Sequence, residues 1–151
     1  MKKIHKYVLL DSIRSCLNVG AIMRTCDWAG FDKIIMTWFT PTPPRKDISK
    51  TAIWAEQYVD WEYYNDPIEI LDRLKKDWFS IIVLEQSSRS VDIREFSKID
   101  GDICIVLGNE IEWVDRRIIE MADVAVEIPM LGKKQSLNVA TSAGILMYRF
   151  I

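Results

Sequence analysis

Short β-branched runs alternate with segments of helical spacing from one end of this chain to the other, and that alternation narrows the possible folds more than any other feature. Tyr7 to Leu10, Lys33 to Trp38, Trp78 to Leu84, Asp102 to Leu107 and Ala122 to Ile128 read as strands, and Tyr58 to Tyr64 alternates in the manner of one. Between them, Leu17 to Ala29 has helical spacing and Gly30 stops it, and a short helix is expected near Lys50 to Gln57. Asp66 and Pro67 read as the N-cap and first position of a helix running to Asp77. Val114 to Met121 and Leu137 to Phe150 complete the helical set, while Thr40 to Pro44 reads as a loop. Apolar strands separated by helices argue an α/β domain with a mostly parallel sheet and helices on both faces. The 151 residues fit one domain over 1–151. In such sheets ligands bind beyond the carboxyl ends of the strands, where Gly108-Asn-Glu110 and Pro129-Met-Leu-Gly132 fall.

Composition sets limits on partners. Lys and Arg total 20 against 22 Asp and Glu, a net charge of −2, so nucleic-acid binding would rest on local basic clusters rather than on bulk charge. Cys16, Cys26 and Cys104 form no C-x-x-C pattern, which points to a reducing, cytoplasmic setting. Cys104 falls inside an apolar run and reads as buried. His5 stands alone, so no metal is expected. The basic start is followed by an apolar stretch too short for a signal peptide, and no run approaches the length of a membrane span. Neither G-x-G-x-x-G nor a P-loop is present, which removes the usual phosphate cradles.

The tail Glu127-Ile-Pro-Met-Leu-Gly-Lys-Lys-Gln-Ser-Leu-Asn-Val-Ala140 carries more chemistry than a strand-to-helix connector needs and reads as a binding loop. Ser136 and Asn138 stand near the first turn of a helix, where free N–H groups suit polar ligands. This segment resembles the third motif of the SpoU branch of the SPOUT RNA methyltransferases. Asn18-Val-Gly-Ala-Ile-Met-Arg-Thr25 resembles the first motif of that family and Ile105-Val-Leu-Gly-Asn-Glu110 the second, in family order and at roughly family spacing.

The resemblance implies a SPOUT fold with a deep C-terminal trefoil knot, which strand patterning alone would not predict because threaded loops are rare. It implies S-adenosyl-L-methionine as cofactor, a ribose 2′-hydroxyl of RNA as acceptor, a tRNA as substrate, and a homodimer in which the arginine region of one subunit works beside the cofactor of the other. By pattern alone Arg24 is a surface arginine and Asn18 a helix N-cap. The resemblance makes Arg24, Asn18, Glu110, Ser136 and Asn138 the catalytic set. Arginine stays protonated, so electrostatic stabilisation suits Arg24 better than base catalysis. Leu84, Glu85, Gly108, Asn109, Glu110, Ile128, Met130, Ser136, Leu137 and Asn138 would form the cofactor pocket. Each apolar member of that group reads in isolation as core. Arg14, Arg24, Arg45, Lys46 and Lys50 are the expected RNA contacts.

Two positions depart from the family pattern. Trp54 and Trp113 stand where the family commonly has glycine. They motivate a rival reading, a binding module that keeps the cofactor pocket but has lost efficient catalysis. Retention of Asn18, Arg24, Glu110, Ser136 and Asn138 argues against it. The short stretch before the first strand and the helical finish lead to the expectation that the core grips RNA by itself.

Overall fold

The computed structural model describes residues 1–109, 111–112 and 114–151, so Glu110 and Trp113 lie outside the described residues. The elements follow in the order β1 (Lys6–Asp11), α1 (Cys16–Ala29), β2 (Lys33–Thr37), α2 (Lys46–Ala52), a 3-10 turn at Ala55–Gln57, β3 (Asp60–Tyr64), α3 (Pro67–Lys76), β4 (Ser80–Leu84), β5 (Val91–Asp92), β6 (Ile103–Gly108), α4 (Arg116–Met121), β7 (Val124–Glu127) and α5 (Val139–Tyr148). They build one sheet of seven strands in the order β3-β2-β1-β6-β4-β7-β5. Every pairing is parallel.

The two-residue period of a strand splits the core into two layers. Val8 and Leu10 of β1 point to one face with Ile103, Ile105 and Leu107 of β6, under α1, α2 and α5. Leu9, Cys104 and Val106 point to the other, under α3 and α4. Helices therefore cover both faces, which is why the central strands read as unbroken apolar runs. Cys26 and Cys104 are fully buried, and burial raises both thiols far above their ordinary range.

Several boundaries differ from the sequence expectation, each for a local backbone reason. The helix expected near Lys50 to Gln57 begins at Lys46 and breaks after Ala52, because Ile53 and Trp54 have φ of 47° and 72°. Two successive left-handed residues cannot continue a right-handed helix. The strands expected to include Trp38 and Trp78 exclude both, whose φ values are 58° and 68°. Trp78 closes α3, and the next amide, Phe79 N–H, reaches back to the Leu74 carbonyl at 3.0 Å. The N-cap of α1 is Ser15, whose hydroxyl accepts from Asn18 N–H at 3.2 Å; the Asn18 side chain is thereby left for another partner. The two-residue strand β5 was too short to read from a pattern.

Gly20, inside the first motif, fixes how α1 meets α2. A Cβ there would sit 2.2 Å from both the Ile48 carbonyl and the Thr51 hydroxyl. The Thr51 hydroxyl in turn donates to the Leu17 carbonyl at 2.7 Å. Gly20→Ala is therefore expected to destabilise the fold by about 1–3 kcal/mol or more, the usual cost of overpacking. Thermal melting would check this; an unchanged Tm would show that α2 moves away freely.

Candidate functional site

The adjacent strands β6, β4 and β7 end side by side, and the segments that leave them enclose a groove with about 570 Å³ of empty space, part of it open to solvent. Leu84, Glu85, Gly108, Asn109, Ile128, Met130, Ser136 and Leu137, all expected in a pocket, line this groove. Leu107, Val139 and Ser142 line it too and were not foreseen. Helical spacing could have found Ser142, which lies one turn beyond Val139. The walls are aliphatic on several sides. Among the described residues, the backbone groups of 128–137 make no hydrogen bond to other backbone groups. The segment is exposed or half-buried, so these N–H and C=O groups are open to water and available to a ligand. An adenosine moiety suits such a groove: its flat ring suits the aliphatic walls and its edge suits the available backbone groups.

Glu85 serves the site differently from the expectation. Its side chain is 7% exposed, and its two oxygens accept from Gln86 N–H at 2.9 Å and Val114 N–H at 3.1 Å. The carboxylate ties the end of β4 to the entry of α4, so Glu85 shapes the groove without offering a free oxygen to it.

A second cleft opens beyond the first and shares Asn109 and Val139 with it. Arg14, Ser15 and Asn18 form one side of it, Ile111 and Glu112 the other. Asn109 shapes the turn between the clefts: its Oδ1 accepts from Ile111 N–H at 2.9 Å and Glu112 N–H at 2.6 Å. Arg14 approaches Glu112 at 3.5 Å. Asn138 joins the first and third motifs. It caps α5, its Oδ1 accepting from Ala140 N–H at 2.9 Å and Thr141 N–H at 3.2 Å. Its Nδ2 donates to Asn18 Oδ1 at 3.2 Å across 120 residues of chain.

The remaining predicted residues are dispersed. Arg24 is exposed two turns beyond Asn18 on α1 and lines neither cleft. Arg45 and Lys46 are exposed at the start of α2, and Lys50 is engaged with Asp47 at 2.9 Å. None of the three lines either cleft. Among the described residues no group of three His, Cys, Asp or Glu side chains is placed to hold a metal ion, and no helix is long and apolar enough to cross a membrane.

An all-parallel sheet with adjoining clefts at neighbouring strand ends defines an α/β ligand-binding protein. The chain belongs to the SpoU rRNA methylase family, whose model matches residues 5–148. It is similar to the tRNA (guanosine(18)-2′-O)-methyltransferase of Aquifex aeolicus strain VF5, at 32% identity over 143 residues, covering 93% of this chain and 66% of that protein. It is also 32% identical over 148 residues to a tRNA/rRNA methyltransferase of Borreliella burgdorferi, covering 97% of this chain and 64% of that one. The chain thus spans just under two thirds of the length of these relatives. The crystal structure of the Aquifex aeolicus TrmH/SpoU tRNA modifying enzyme superposes with a TM-score of 0.86 at 30% identity, covering 98% of this chain and 74% of that one. The AdoMet-bound rRNA methyltransferase from Sinorhizobium meliloti superposes with a TM-score of 0.89 at 25% identity, covering 98% and 56%.

Proposed function

We propose that this protein is an S-adenosylmethionine-dependent ribose 2′-O-methyltransferase acting on RNA, with a tRNA as substrate, and that it works as a homodimer. The observation that carries the reading is the pair of adjoining clefts, one apolar with free backbone groups and one polar, joined at Asn109 and Val139. The cofactor would supply an electrophilic methyl group, so that an oxygen–carbon bond forms as the sulfur–carbon bond breaks, S-adenosylhomocysteine leaves and the hydroxyl proton passes to water. Ile128, Met130 and Leu137 would hold the adenine, and Ser136 the polar edge of the cofactor. Asn18, fixed by Asn138, would orient the ribose. Catalysis would come chiefly from positioning and from charge stabilisation at the oxygen.

The dimer part of the proposal rests on Arg24. On α1, Leu17, Ala21, Arg24 and Trp28 recur at helical spacing and share one outward face. On α5, Ile145 and Tyr148 are also exposed, and the Tyr148 ring stacks with Trp28 at 6.4 Å. A second copy seated on this apolar face would bury it and carry Arg24 toward the clefts of its partner. Arg24 has no ion pair among the described residues, so its charge is free for a phosphate.

Two measurements test the reading. S-adenosylhomocysteine is expected to bind in titration calorimetry, and binding should weaken when Ser142→Trp fills the groove; no heat with folded protein would remove the cofactor from the proposal. Transfer of labelled methyl groups from the cofactor into total RNA is expected, with the label at a 2′-oxygen. Absence of transfer alongside intact cofactor binding would favour the binding-module reading.

A further inference from the structure

A row of exposed aromatic rings leads away from the second cleft, and what it adds rests on the RNA reading above. Arg14, which lines that cleft, lies over the Phe39 ring at 5.1 Å. Phe39 meets the Trp38 indole edge-on at 5.3 Å. The Tyr63 hydroxyl donates to the Trp38 carbonyl at 2.8 Å. Trp61 stands two residues before Tyr63 on β3, so both rings lie on one face of that strand. β3 is an edge of the sheet. The four side chains are between 38% and 59% exposed. Single exposed apolar residues are ordinary, but large rings that follow one another from a cleft to a sheet edge mark an interaction surface.

The backbone beneath the rings is fixed. Buried Thr40, next to Phe39, accepts from Ile13 N–H at 3.0 Å and donates to the Leu10 carbonyl at 2.8 Å. Trp38 is held at φ 58°, which a bulky residue keeps only where its surroundings impose it. The charge around the row also suits a polyanion. Glu62 falls between Trp61 and Tyr63 in sequence but on the opposite face of β3, where Lys33 Nζ and the Tyr64 hydroxyl both donate to it at 2.7 Å. Arg14 stands at the cleft end of the row, and Asp60, exposed at the start of β3, marks where it stops. None of the four rings belongs to α1 or α5, which carry the face assigned above to a second copy. Fixed rings with an arginine among them suit unpaired bases, because every base has a π-face whatever its identity. We infer that Phe39, Trp38, Tyr63 and Trp61 form a stacking platform for the unpaired nucleotides that flank the methylated one, gripping them without regard to sequence. The occupant is single-stranded RNA running out of the second cleft toward β3; in a duplex the base faces are covered.

The test is fluorescence anisotropy on the full chain, with short labelled strands of oligouridine and oligocytidine and a blunt RNA duplex. The two single strands are expected to bind within a few-fold of each other, and the duplex about tenfold more weakly or worse. Phe39→Ala and Trp61→Ala should each weaken single-strand binding by about five- to 150-fold, the range for one lost base stack. Both should leave S-adenosylhomocysteine affinity and Tm unchanged. Phe39→Tyr should bind as the wild type does, whereas Phe39→Leu, apolar but without a π-face, should bind as weakly as Phe39→Ala. In methyl transfer to total RNA the alanine variants should lose rate at limiting RNA and recover it at saturation, the mark of binding made equally in ground and transition states. No single-strand binding, equal binding of the duplex, or wild-type binding in Phe39→Leu or in both alanine variants overturns the inference. So does a change in self-association in place of RNA binding, which would make the row a protein interface. If the strands bind at the row and no methyl group is transferred, the platform stands and the methyltransferase reading falls. If transfer proceeds and the alanine variants match the wild type at limiting RNA, only the platform falls.

Discussion

Arg24→Ala is expected to lower kcat by about 10²–10³ while S-adenosylhomocysteine affinity stays near wild type, the cost of removing one donor aimed at a developing oxyanion. The expectation stands on two facts of geometry. Arg24 lines neither cleft of its own subunit, so its loss should not disturb the groove. It also lies on the outward face of α1 with Leu17 and Trp28, where a second copy would bring it to another site. Arg24→Lys should recover little, because an ammonium cannot reproduce the planar fork of a guanidinium. Mixing gives a sharper measurement. Arg24→Ala and the groove-filling Ser142→Trp are each expected to be strongly impaired alone, but mixed dimers would contain one site with an intact arginine and an intact groove. Recovered turnover on mixing supports action across the interface. No recovery, with dimers formed, would place Arg24 within its own subunit, and near wild-type turnover in Arg24→Ala would remove it from the mechanism.

The second large effect is expected at Asn138, where stability and activity can be separated. Asn138→Asp keeps an oxygen for the Ala140 and Thr141 amides, and a carboxylate suits a helix N-terminus. It replaces the amide donor facing Asn18 Oδ1 with a second acceptor. The fold should therefore hold its Tm within a few degrees, while the Asn18 amide must turn over to donate to the new carboxylate, which reverses the oxygen and nitrogen it presents to the ribose. Misdirecting one such polar group costs about 1–3 kcal/mol, which corresponds to a fall in turnover of about five- to 150-fold if Asn18 orients the ribose. Asn138→Ala should show the same loss of activity together with about 1 kcal/mol of lost stability from the missing cap. Steady-state kinetics and thermal melting on the two variants decide the matter. Full activity in Asn138→Asp would reduce Asn138 to a helix cap.

Much of the site was legible because its residues are consecutive along the chain. Gly108-Asn109 and the run from Ile128 to Leu137 each follow an apolar strand, and a strand end in a parallel sheet is where a ligand groove forms. Val139 and Ser142 belong to the same groove, but they stand inside a helix that reads as largely apolar and small, so the one mark of their facing side was the single-turn spacing that joins them. Glu85 shows the opposite case. Its position at a strand end marked it as a binding group, yet its carboxylate is occupied by two backbone amides. Hydrogen-bond partners distant in sequence, such as Val114, cannot be read from spacing.

The alternation of apolar runs and helical segments determined the α/β class, the parallel sheet and helices on both faces, because each layer must bury its own apolar side. The motif residues determined which loops bear polar chemistry. Only the tertiary structure decided that β6 enters between β1 and β4, a long-range pairing that lies outside local propensity. That insertion sets the ends of β1, β6, β4 and β7 side by side and brings Asn18 within reach of Asn138. The tertiary structure alone also showed Trp38, Ile53, Trp54 and Trp78 in left-handed conformations that end elements where the apolar pattern would have carried them on. Side-chain hydrophobicity encodes burial, whereas a left-handed backbone in a bulky residue is imposed by neighbours that meet only when the chain has folded.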